Sequence, residues 1–206
     1  MTTTRKSFTA PGKIYFWTAT IHKWQHLLHE RHKALIIDYL KKLSADGLVT
    51  IYGFVIMPNH IHLIWQQNKK NGKENAFGSF LKYTAHRFLK DLKSEGQSER
   101  YKVDVSNKLF EIWQRDSLAI EIYSRHVAVQ KLGYIHANPV SGIWKLAKDD
   151  LNYYYSSARF YETGVDDFGF LNNLFFFLMG NSLILLTLKL VIWECFGACD
   201  THQGEE

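Results

Sequence analysis

Residues 56–65 read IMPNHIHLIW, two apolar runs separated by Pro58-Asn59 and carrying two histidines one residue apart. Proline fixes φ and asparagine tolerates tight turns, so Pro58-Asn59 marks a sharp reversal. On this reading Leu48–Met57 and His60–Gln66 form an antiparallel hairpin. Strand side chains alternate between faces, which puts His60 and His62 on one side with Ile64 and leaves Ile61, Leu63 and Trp65 on the other. Two imidazoles in an apolar strand need hydrogen-bond partners or a ligand.

Working outward, Lys13–Thr20 (KIYFWTAT) is aromatic and β-branched and predicts a first strand. Trp24, Leu28, Leu35, Tyr39 and Leu43 recur at helical spacing up to the SADG stop, where Gly47 suits a C-terminal cap. After the polar loop QNKKNGKEN, a second helix presents Phe77, Leu81, Thr84, Phe88 and Leu92 on one side and Lys82, His86, Lys90 and Lys93 on the other. LFEIWQRD predicts a short strand, and a third helix is expected from Leu118 to Asn138, with Ala128, Leu132 and Ile135 buried and Pro139 ending it. The order β-α-β-β-α-β-α implies an α+β fold: a ferredoxin-like antiparallel sheet with helices packed on one face.

The chain has 206 residues, 46% hydrophobic and 15% aromatic, enough for one domain with a substantial core. A net charge of +5 favours an anionic partner without specifying one. Only two cysteines occur, Cys195 and Cys199, so no disulfide framework is expected and the cytoplasm is the expected compartment. No secretory leader is read at the N-terminus. Residues 174–193 approach the length of a membrane span but include Gly180, Asn181, Ser182, Thr187 and Lys189, which argue against one. Cys195, Cys199 and His202 match no common zinc spacing.

His-x-His on a strand offers two metal ligands at little ordering cost. In GYIHANPV, Tyr134 and Asn138 are four apart and project together from a helix, so the amide oxygen could complete a two-histidine, one-oxygen site open to water and phosphate. Such a donor set suits Mg²⁺ or Mn²⁺ better than a closed structural zinc site. A neighbouring phenol becomes a competent nucleophile when a metal polarises a phosphate.

His60-Ile61-His62 with Tyr134-x-x-x-Asn138-Pro139-Val140 resembles the single-tyrosine HUH transposases, and more closely the REP-associated tyrosine transposases. The stretches FVIMPNHIHLIW, SFLKYTAHRFLK, IWQRD, LGYIHANPVSGIW and YYYSSARFY carry the resemblance across roughly residues 8–162. It implies the HUH endonuclease fold, a divalent cation held by His60, His62 and Asn138, and attack by Tyr134 on single-stranded, hairpin-bearing DNA to give a 5′-phosphotyrosine link. Lys82, Arg87, Lys90, Lys93 and Arg115 are the candidate backbone contacts. Residues 1–165 would form the transposase domain and 166–206 an apolar tail outside the resemblance. Monomer and homodimer both stay open. The rival readings are a non-catalytic nucleic-acid-binding module on the same sheet, a decayed and inactive transposase, a phosphohydrolase using water at the metal, and a membrane-anchored protein built around the tail.

Overall fold

The computed structural model describes residues 9–105, 108–115 and 117–178. Four strands make the main sheet: β1 (Ile14–Thr20), β2 (Val49–Ile56), β3 (His60–Gln67) and, later in the chain, β6 (Leu118–Glu121). Their spatial order is β2-β3-β1-β6, and every neighbouring pair is antiparallel. This is the ferredoxin-like arrangement read from the sequence. The helix α1 (Glu30–Ala45) links β1 to β2 across β3, and α2 (Ala76–Ser94) begins the link from β3 to β6 across β1. Between α2 and β6 lies a separate hairpin of β4 (Lys102–Val105) and β5 (Lys108–Phe110). The hairpin at Pro58-Asn59 closes as expected, with the Met57 amide donating to the His60 carbonyl at 2.8 Å.

Both long helices follow their apolar periodicity. On α1, His32, Ile36, Tyr39, Leu40 and Leu43 are buried, and on α2, Phe77, Phe80, Thr84, Phe88 and Leu92. Asn75 caps α2 by accepting from the Gly78 amide at 2.7 Å. Phe77 and Phe80 meet Trp17 and Trp65 on one face of the sheet. Helix α3 (Arg125–Ala137) lies against the opposite face, where Phe16 and His62 reach Tyr134. The α+β class stands with α1 and α2 sharing one face; α3 is the element that covers part of the other.

Gly53 is what lets α3 approach. A Cβ there would meet Leu132 Cδ2 at 3.0 Å and Ile135 Cδ1 at 3.3 Å. The β2–β3 register also shifts between Ile51 and Gly53, a bulge beneath the helix.

Several boundaries differ from expectation. Helix α1 starts at Glu30, because His22–Trp24 forms a short 3-10 turn and Trp24 is 57% exposed instead of joining the buried stripe. The expected helix from Leu118 divides: Leu118–Glu121 pairs with β1, and Ser124 caps α3 by accepting from the Val127 amide. LFEIWQRD begins in β5 and, among the described residues, meets the main sheet at a bridge between Trp113 and Ile21. Of the histidines outside the pair, His22 and His32 are buried, the former against Glu111 at 2.8 Å.

The first compact unit runs through Asn172, past the expected boundary at residue 165. Asp166–Asn172 returns to β2, where the Asn172 amide donates to the Ile51 carbonyl at 2.9 Å and Phe168 packs on Phe54. In the second unit one short helix is described, α5 (Leu174–Leu178). A last short helix of the first unit, α4 (Ala158–Thr163), follows a segment bridged to β2 at Ser156. The apolar run beyond residue 178, with Cys195, Cys199 and His202, lies outside the described residues. Among the described residues no helix is long and apolar enough to cross a membrane.

Candidate functional site

The hairpin and α3 bring His60, His62, Tyr134 and Asn138 into one cleft of about 630 Å³. The two imidazole centroids are 4.8 Å apart, and the His62 ring is 5.3 Å from that of Tyr134. Tyr134 is 52% exposed at the cleft surface. Asn138 lines the same cleft as the His60 ring. Asn138 keeps helical angles (φ −53°, ψ −48°) although Pro139 follows it and disfavours that region. The α-helix ends at Ala137 and Asn138 opens the 3-10 turn Asn138–Val140, so Asn138 stays one turn from Tyr134 on the same face.

Each histidine is fixed by a side chain on its inner nitrogen. His60 Nδ1 lies 2.6 Å from Asn59 Oδ1, and Asn59 Nδ2 donates to the Trp24 carbonyl at 3.2 Å. The carbonyl of Trp24 only accepts, which sets the orientation of the Asn59 amide and hence puts the single proton of a neutral His60 on Nδ1. His62 Nδ1 lies 2.7 Å from Thr18 Oγ1. His62 Nε2 is buried with no protein partner. An orphaned buried nitrogen of this kind costs about 1–3 kcal/mol and calls for a ligand or a functional reason.

Burial, opposed by the Asn138 contact, pushes His60 down to about 4. Burial, reinforced by the nearby His60 and Lys131 charges, pushes His62 down to about 3. Both rings are thus neutral near pH 7 and keep a lone pair for coordination. Among the described residues no three His, Cys, Asp or Glu side chains converge, so a cation here would draw its third protein donor from Asn138. Two lone-pair nitrogens, one of them orphaned, beside a carboxamide make a donor set that fits an open divalent site.

The remaining sequence candidates fall elsewhere. Lys82, Arg87, Lys90 and Lys93 sit on α2, across the sheet from the histidines, and none of them lines the cleft. Lys82 pairs with Glu74 at 2.6 Å, and Lys93 sits over the Phe110 ring. Arg115 lines a neighbouring hollow and pairs with Glu111 at 3.6 Å. The cation that does line the cleft is Lys131, whose Nζ stands 5.0 Å above the Phe16 ring. Its signal in the sequence was its place one turn before Tyr134. Trp24, Gln114 and Trp144 also line the cleft. Trp113, Tyr153 and Tyr155 are core residues, whereas Tyr154 is exposed.

The structure is similar to that of a REP-associated tyrosine transposase solved bound to a REP hairpin, with a TM-score of 0.54 over 82% of this chain and 90% of that one. The two proteins share a fold. Sequence identity is 19%, so the likeness speaks to architecture alone. A candidate transposase from Deinococcus radiodurans R1 aligns with a TM-score of 0.40 and 15% identity over 63% of this chain and 92% of that one. No protein-family profile and no curated relative matches the chain.

Proposed function

We propose that this protein is a transposase of the single-tyrosine kind, cleaving and rejoining single-stranded, hairpin-bearing DNA through a 5′-phosphotyrosine intermediate. The observation that carries the proposal is the convergence of His60, His62, Asn138 and Tyr134 in one cleft, with an unpartnered nitrogen on His62 and the exposed Tyr134 ring centred 5.3 Å from the His62 ring. The shared architecture with a transposase bound to a REP hairpin supports the same substrate class.

His60, His62 and Asn138 would hold Mg²⁺ or Mn²⁺, which when bound polarises a phosphate oxygen and stabilises the charge that develops there. Asn59 and Thr18 keep the two Nδ1 atoms engaged, so the Nε2 atoms are the ones presented. The Tyr134 oxygen forms a bond to phosphorus as the bond to the 3′ oxygen breaks. The phenolic proton passes, through solvent, to the departing 3′ oxygen. The DNA 5′ end is left on Tyr134 and a free 3′-hydroxyl is released. In the reverse direction a second strand's 3′-hydroxyl attacks the phosphotyrosine, and no nucleotide cofactor is consumed because one phosphodiester replaces another. Burial of the histidines on a paired strand and of α3 over Gly53 holds these groups in place before substrate arrives.

The test is incubation with hairpin-bearing single-stranded oligonucleotides and Mg²⁺ or Mn²⁺, followed by a denaturing gel. A slow-migrating protein–DNA species that chelator prevents is the expected result. Cleavage without an adduct, persisting in Tyr134→Phe, would instead indicate hydrolysis by water.

A further inference from the structure

Among the described residues the non-glycine positions with left-handed backbone are Lys23 (φ 52°), Trp24 (φ 57°) and Lys145 (φ 40°). All of them sit in or beside two Trp-bearing turns at the mouth of the cleft, one carrying Lys23-Trp24 and the other Trp144-Lys145. Lysine and tryptophan gain nothing locally from this conformation, and strain of this kind survives where the surroundings impose it, often at binding sites. The impositions are visible. The Trp24 amide donates to the Ile21 carbonyl at 2.9 Å, its carbonyl is held by Asn59, and the Trp144 amide donates to Ser141 at 3.2 Å.

The two indoles approach the same imidazole. Trp24 lies 5.9 Å from the His60 ring and Trp144 6.0 Å, both inclined to it. Trp24 is 57% exposed although six tryptophans in a chain of this size would ordinarily be drawn into the core, as Trp17, Trp65 and Trp113 are. Lys23 and Lys145 are exposed beside them. Among the described residues no carboxylate lines the cleft, and its one charged wall residue is Lys131.

From this we infer that the two turns form a clamp for unpaired nucleotides: the indoles of Trp24 and Trp144 stack bases on either side of His60, and Lys23 and Lys145 contact the adjoining phosphates. The inference rests on the strand-transfer reading for its substrate class and adds the residues that select single strands. Only a strand with unstacked bases presents faces to which an indole can bind, so a duplex would not engage the clamp. Asn59 joins the clamp to the reaction centre, because one amide holds both the Trp24 turn and the His60 ring.

The test is fluorescence anisotropy with labelled dT12 and with a blunt duplex of equal length, in chelator so that no cleavage occurs. Trp24→Ala and Trp144→Ala should each weaken dT12 binding about tenfold, while Trp24→Phe retains most of the affinity and duplex binding changes less than twofold. Unchanged dT12 binding in both alanine variants, or an equal loss on the duplex, would overturn the clamp. Independently of any variant, irradiating the wild-type protein with a dT12 carrying 5-iododeoxyuridine should crosslink to peptides containing Trp24 or Trp144. Crosslinks confined to other peptides would overturn it as well. Because neither readout involves Tyr134, a failed clamp with an intact covalent adduct refutes this inference alone, and the reverse result refutes the chemistry while leaving the binding site.

Discussion

On one face of the sheet Trp17 and Trp65 lie 5.3 Å apart and meet Phe77 and Phe80 of α2. On the other, one residue from Trp17 and three from Trp65, Phe16 and His62 stack at 5.2 Å against Tyr134 of α3. The first face is apolar and covered by a long helix. The second is partly open, and its unpartnered nitrogen, His62 Nε2, belongs to a residue that lines the cleft, whereas that of the first face, Trp65 Nε1, lies in the core. Strand alternation is the whole device: Leu63 pairs with Trp17 and belongs to the core, while its neighbour His62 pairs with Thr18 and belongs to the site. A rigid core on one side therefore holds the strand that carries the imidazoles on the other, while Asn59 of the turn and Thr18 of β1 orient the two rings.

The sharpest way to break this comparison is to change one group on each face. Tyr134→Phe should eliminate the covalent DNA adduct altogether and leave the thermal midpoint unchanged, since the hydroxyl is at an exposed position. Trp65→Ala should do the opposite kind of damage, lowering unfolding free energy by about 3–5 kcal/mol in urea titration, because a fully buried indole is replaced by a cavity. If the Tyr134 variant unfolds early, or the Trp65 variant does not, the division of labour between the faces is wrong.

Intermediate effects sharpen it. Gly53→Ala forces a methyl against Leu132 and Ile135, at a cost of about 1–3 kcal/mol, and should cut adduct yield by roughly tenfold as α3 carries Tyr134 out of line. Replacing Thr18 and His62 together by Val and Leu removes both hydrogen-bonding partners. The double variant should abolish the adduct yet change stability by no more than about 1 kcal/mol, since exchanging a buried polar pair for apolar groups is close to neutral.

Acid gives a smaller, graded test. Burial holds His60, His62 and His136 at about 4, 3 and 4 in the folded chain, against about 6.5 for an unfolded histidine. The unfolded state therefore binds more protons than the folded state between those values, so stability is full above about pH 6.5 and falls as pH is lowered toward 4. The slope is roughly 1.4 kcal/mol per pH unit for each such histidine. Urea midpoints at pH 7, 6 and 5 should decline, and less steeply in the Thr18→Val/His62→Leu variant; an equal slope in the two would remove His62 from the explanation. Smallest of all, Lys90→Gln on the far face should alter adduct yield less than twofold in the same gel assay.

Much of this was legible in the sequence because periodicity reports which side of an element is buried. The hairpin at Pro58-Asn59, the apolar stripes of α1 and α2, and the shared face of Tyr134 and Asn138 follow from spacing alone. The errors arose where a short strand borrowed its partner from far away. Leu118–Glu121 is recognisable as β6 only once β1 is there to pair with it, and its residues suit a helix equally well. Trp24 continued an apolar pattern in the sequence but sits in a left-handed turn that hydrogen bonds to Asn59 impose. The cationic side of α2 reads as a nucleic-acid surface from spacing alone, and the sheet places it on the face opposite the histidines. Lys131 is marked in the sequence only by its place one turn before Tyr134; its position over Phe16 follows from the packing of α3 on the sheet.

The most direct measurement is to digest the protein–DNA adduct with trypsin and nuclease and locate the nucleotide by mass spectrometry. A single nucleotide 5′-phosphate esterified to the oxygen of Tyr134, absent when chelator is present, is the predicted product. A nucleotide on any other residue, or an adduct formed equally well after both His60 and His62 are replaced by alanine, would contradict the account.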